Sequence, residues 1–135
     1  MDNDRIKSRL GTLAYYKENL RRILPKGYAA YRKSAPETKA AVERYLQVIS
    51  EIELDVVVQV YKGFELRPAG GEESILDAAE EKLGRRLIDK VRTRRNLRNA
   101  LVHAYSNIDD KEVFALAQDI GDVDEFERAA ERLLK

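Results

Sequence analysis

The sequence predicts an all-α fold, a bundle of five or six helices whose first two long members run antiparallel. Three observations carry that expectation. Apolar residues return every three or four positions over long stretches, the period of a helix with one buried face. Glycine and proline are scarce, 7 and 3 in 135 residues, too few for the closely spaced turns of an all-β chain. Hydrophobic residues make up 44% and charged residues 36%, which suits amphipathic helices with heavily charged outer faces rather than a disordered chain. A chain of this length is expected to form a single domain over residues 1–135.

Ile6, Leu10, Leu13, Leu20 and Leu24 place the first helix over roughly residues 3–24, with Pro25 and Gly27 ending it. After a loop, Ser34 and Glu37 stand three residues apart with Pro36 between them, the pattern of a capping box opening the next helix. That helix is the longest, with Val42, Tyr45, Ile49, Ile52, Val56 and Val60 on one stripe. Its "DVVVQVY" run is β-branched, but the stripe entering from residue 42 favours a packed helix, and Gly63 marks its end. "RPAGGEES" is a turn-forming connection whose glycines lack the Lys-Ser/Thr of a phosphate-binding loop. A short helix through Ile75, Ala79 and Leu83 leads to Gly84, and a long one runs from about Arg85 to Tyr105. "SNIDD" breaks it and caps a helix over Val113, Leu116 and Ile120. Gly121 separates a last helix carrying Phe126, Ala130, Leu133 and Leu134.

With no cysteine, the chain has no disulfide framework, no thiolate zinc site and no cysteine nucleophile. Its opening residues lack the apolar core of a signal peptide, and Val56-Val57-Val58 is far too short to span a bilayer. A cytoplasmic protein without membrane attachment is expected. The formal net charge of +1 hides a local asymmetry. From Lys82 to Arg98 eight cations face Asp89 alone; from Asp109 onward nine acids face four bases. The basic stripe either attracts phosphate-bearing partners or is a solvated face paired with the acidic tail.

The only histidine lies in "TRRNLRNALVHAYSN", residues 93–107. On a helix, Asn99 and His103 fall one turn apart, and Arg98 and His103 are separated by about 140° in projection. The residue types suit RNA cleavage without a metal or other cofactor. An imidazole exchanges a proton near neutral pH, and a guanidinium fork matches phosphate oxygens and the charge that develops on phosphorus. Arg94 and Arg95, one turn earlier, are candidates to hold RNA phosphates. The bland alternative is a histidine facing the last carbonyls of its helix, with Arg98 and Asn99 as ordinary surface residues and Tyr105 as packing. A metal site is disfavoured by a single histidine and no cysteine. Ser106 has no nucleophile-elbow context.

"RNALVHAY" resembles the signature of HEPN domains, an arginine followed by asparagine and, a few residues on, histidine; the His-x-Tyr ending resembles the HepT-like toxin branch. "LPKGYAAYRKSAPETKAAVERYLQVISEIELDVV" is similar to that family's loop and second helix, with Glu43, Arg44, Leu46, Gln47 and Asp55 at matching positions. "HAYSNIDDKEVF" and "FERAAERLL" resemble its ending. The likeness implies a HEPN-like helical bundle that works as a homodimeric, metal-independent endoribonuclease, the toxin of a type VII-like toxin–antitoxin pair. Arg98 and His103 would be catalytic, supported by Asn99. Tyr105 would be the tyrosine adenylylated by a cognate nucleotidyltransferase (MNT-type) antitoxin. The other readings are a non-catalytic HEPN-like module that binds RNA, nucleotide or partner protein, and a structural bundle whose polar stripe mediates assembly.

Overall fold

In the computed structural model, residues 1–67, 70–103 and 108–134 are described and contain seven α-helices. The first, α1 (Asn3–Ile23), is capped by Asp2, whose carboxylate accepts from the Arg5 N–H at 3.0 Å. It buries Ile6, Leu10, Leu13, Lys17 and Leu20, one stripe at helical spacing. The helix α2 (Tyr28–Arg32) lies within the segment expected to be a loop. Five residues are too few to show a period; what holds α2 is Tyr31, fully buried with its ring 5.6 Å from Phe114.

The long helix α3 (Pro36–Gly63) starts on proline, whose missing N–H costs nothing at this position. The expected capping box is not formed. Ser34 Oγ donates to the Ala30 carbonyl and so closes α2, leaving Ala35 as the cap of α3 without a side-chain bond. The "DVVVQVY" stretch is helical, with Val56, Val57 and Val60 buried. α1 runs antiparallel to α3. Met1 lies on Gly63, where a methyl group would come within 2.5 Å of its side chain; Arg5 and Arg9 meet Asp55 at 3.1 and 2.6 Å; and Tyr16 packs edge-on to Tyr45.

Next comes α4 (Glu72–Leu83), joined to α5 (Arg85–His103) by Gly84 alone, whose φ of 87° is open to glycine and strained for other residues. Arg92 meets Glu80, Arg95 meets Glu73 and Arg98 approaches Glu72, so the two helices are antiparallel. Lys82 sits over the Phe64 ring and sets the end of α4 beside the end of α3. From there α5 runs back along α3, crossing it at the Glu53–Arg94 pair. The helix α6 (Asp110–Gln118) is capped by Asp109 and packs Phe114 on Tyr28 and Tyr31, and Lys39 bonds Asp110 at 3.0 Å. Finally, α7 (Gly121–Leu133) returns to α1, where Lys17 reaches Asp124 at 2.5 Å and Glu127 at 2.7 Å. One end of the bundle therefore gathers the end of α1, all of α2, the start of α3, the end of α5 and the start of α6.

Candidate active site

The inward face of α5 is Ile88, Val91, Arg94 and Leu97, three residues apart. Arg94 falls within that stripe and is accordingly buried, 3% exposed. Its Nε and Nη2 donate to the two carboxylate oxygens of Glu53, both at 2.7 Å, and Glu53 is itself wholly buried on α3. Burial pushes the Glu53 carboxyl up against the pull of Arg94, while the carboxylate keeps Arg94 charged. The expectation that Arg94 holds an RNA phosphate is thus corrected: its fork is filled by an internal acid and faces away from solvent. Each partner sits on the apolar stripe of its own helix. That shared oddity is the sequence signal for the pair, and Glu53 is its half that the sequence expectations do not name.

Arg95 bonds Glu73 at 2.6 Å through Nη1 and leans on Asn96 through Nη2, so a phosphate would have to displace an acid there. Elsewhere on α5, Arg86 pairs with Glu125 and Asp122, Lys90 with Asp119 and Asp122, and Arg92 with Glu73, Asp77, Glu80 and Asp89. The basic stripe is largely neutralised by α4 and by the acidic C-terminal segment.

Arg98 differs. Its Nε is sheltered with no acceptor among the described residues, and Nη2 stands 3.8 Å from Glu72, too far for a hydrogen bond. The Glu72 contact is thus a loose ion pair, and the guanidinium makes no hydrogen bond to an acid among the described residues. Asn99 and His103 are exposed one turn apart on the last turns of the helix, beside Val102, 49% exposed. Arg98 and His103 lie about 7.5 Å apart along the helix axis and on different flanks. Tyr105 lies outside the described residues. Among the described residues, no group of three or more histidine, cysteine or acidic side chains is arranged to hold a metal ion, and no helix is long and apolar enough to cross a membrane.

The family described as ribonuclease HepT-like matches residues 13–133. The chain belongs to the HepT-like family. Among solved structures, this HepT-like chain is similar to the tri-AMPylated HEPN toxin of Shewanella oneidensis in complex with its MNT antitoxin. Identity there is 20%, the TM-score is 0.85, and 96% of this chain and 98% of that one are covered. A toxin–antitoxin structure with AMP-PNP matches at 18% identity and a TM-score of 0.85, over 96% of this chain and 99% of that one. The cytosolic protein YutE of Bacillus subtilis, of unknown function, matches at 20% identity and a TM-score of 0.83, over 99% and 91%. At such identities these likenesses speak to the fold. No curated protein matches in sequence.

Proposed function

We propose that this HepT-like chain is a metal-independent endoribonuclease, the toxin of a pair in which a nucleotidyltransferase antitoxin silences it by adenylylating Tyr105, and that it acts in the cytoplasm as a homodimer. The observation that carries the reading is the state of α5's last turns. There Arg98, hydrogen-bonded to no acid among the described residues and only loosely paired with Glu72, stands with exposed Asn99 and His103, while Arg86, Lys90, Arg92, Arg94 and Arg95 before it are bonded to acids.

The chemistry needs few parts. The His103 imidazole takes the proton of an RNA 2′-hydroxyl. The oxygen attacks the adjacent phosphorus, a 2′,3′-cyclic phosphate forms, and the bond to the 5′-oxygen breaks, that oxygen leaving with a proton. Arg98 meets the charge that builds on the phosphoryl oxygens, and Asn99 orients the imidazole or the strand. One chain offers a single imidazole, and its Arg98 and His103 occupy different flanks of the helix. A two-fold axis at this exposed end, against which Val102 would be covered, brings a second copy of each to one groove. Tyr105 lies two residues beyond His103 in sequence, so an added nucleotide monophosphate would set bulk and negative charge beside the groove and repel RNA. The AMPylation described for the Shewanella toxin supports that choice of modification.

The test is cleavage of bulk RNA in excess chelator. Wild type is expected to cut, and His103→Ala to lose at least about 100-fold in rate, the lower range for positioned proton transfer. Binding without cutting by both proteins would replace the enzyme with an RNA-binding module of the same fold.

A further inference from the structure

The cations of α5 are largely spent on internal acids; those at the other side of the same bundle end are not. Between residues 21 and 44 there are seven cations and two acids. Arg21 pairs with Glu18 and Asp124, and Lys39 with Asp110. The remaining five, Arg22, Lys26, Arg32, Lys33 and Arg44, are exposed, and none has an acidic partner among the described residues; Arg22 bonds only the neutral Asn19. Lys111, whose ammonium stands 5.9 Å from the Tyr28 ring centroid, adds positive charge at the same end. Of the acids nearby, Asp110 is neutralised by Lys39 and the Asp109 carboxylate caps α6, which leaves Glu37 and Glu43 of this stretch against the five.

We propose that Arg22, Lys26, Arg32, Lys33 and Arg44 form the track that holds the phosphates of the RNA strand running to or from Arg98 and His103. Position supports it, because antiparallel packing of α1 and α5 on α3 puts the end of α1, α2 and the start of α3 at the end where α5 terminates. Composition supports it as well. A protein-docking face has an apolar centre, and a membrane-docking face needs exposed large apolar side chains. Among the described residues the exposed large hydrophobics are Tyr15 and Val102, neither of them in this stretch. Apart from an apolar-lined pocket between Lys26, Leu24, Phe114 and Ile120, what the surface offers is charge, the recognition chemistry of a polyanion backbone.

The inference rests on the ribonuclease reading for its choice of strand, so binding and cutting are measured separately. Full-length His103→Ala protein, which does not consume its ligand, is titrated against a labelled single-stranded RNA over a range of salt. Adding Arg32→Gln and Lys33→Gln is expected to weaken binding about tenfold at physiological salt and to reduce the log–log salt slope by roughly 0.7 for each lost contact. Arg86→Gln with Lys90→Gln, on the neutralised face of α5, is expected to change neither. Arg22→Gln with Arg44→Gln provides a second pair should the first lower the melting temperature. Unchanged affinity and slope in both track pairs overturns the proposal, as does equal weakening by the α5 control. Native RNA binding with lost association to a co-expressed nucleotidyltransferase overturns it too and makes the patch an antitoxin dock. Track-dependent binding by a wild-type chain that cuts nothing keeps the track and sinks the catalytic reading.

Discussion

Asp55 and Asp124 each gather two cations from α1, and that makes them sensors of acid. Burial would raise both carboxyls, but the bonds from Arg5 and Arg9 to Asp55, and from Lys17 and Arg21 to Asp124, outweigh it and hold them below their ordinary value. A carboxylate held lower in the folded chain than in the unfolded one stabilises the fold above its unfolded pKa and loses that contribution as pH falls through the folded one. Urea midpoints are therefore expected to hold steady from neutral pH down to about 4 and to drop below it. Asp55→Asn should flatten that acid limb, with a loss at neutral pH of no more than about 1 kcal/mol, because the pair is part-exposed. Tyr105 makes a prediction at the same scale. Mass spectrometry after co-expression with a partner nucleotidyltransferase is expected to find a nucleotide adduct on it; an unmodified tyrosine in a silenced toxin would count against modification. The candidate site could be proposed at this scale because Arg98, Asn99 and His103 fall within six residues of one helix. Arg94 was misread for the same reason: neighbouring arginines look alike until the phase of the apolar stripe is tracked through Val91 and Leu97.

Helix pairs are held by charges that the apolar pattern does not announce. Glu53 and Arg94 fix the crossing of α3 and α5, and removing one partner strands a buried charge. Glu53→Ala is expected to cost about 3–5 kcal/mol in urea unfolding, while Glu53→Met combined with Arg94→Leu should recover most of it. If the single substitution proves nearly neutral, the pair is not the tie described. The long elements were readable because α1, α3 and α5 each sustain their stripe for many turns. What escaped was short or non-local. In α2, five residues are held by one buried tyrosine against a helix some 80 residues away in sequence, and Ser34 serves the helix behind it rather than the one ahead.

The whole molecule holds one histidine, whereas cutting RNA by this route uses a base and an acid. If two copies share a groove as proposed, a heterodimer of wild type and His103→Ala is expected to fall well below half the specific activity of the wild-type dimer. Half or more, measured on tagged and purified heterodimers, would assign each subunit an independent centre. The order of the long helices was legible; the distribution of free charge was not, since only packing decides which cations are already satisfied. Gly84 bears on that distribution. A one-residue joint keeps the carboxylates of α4 folded against the arginines of α5, so this helix travels with its own counterions. On the ribonuclease reading, in a cell crowded with ribosomes and transfer RNA, such internal ballast would keep the chain from adhering to every polyanion it meets and would reserve adhesion for a strand laid across the end where α5 terminates.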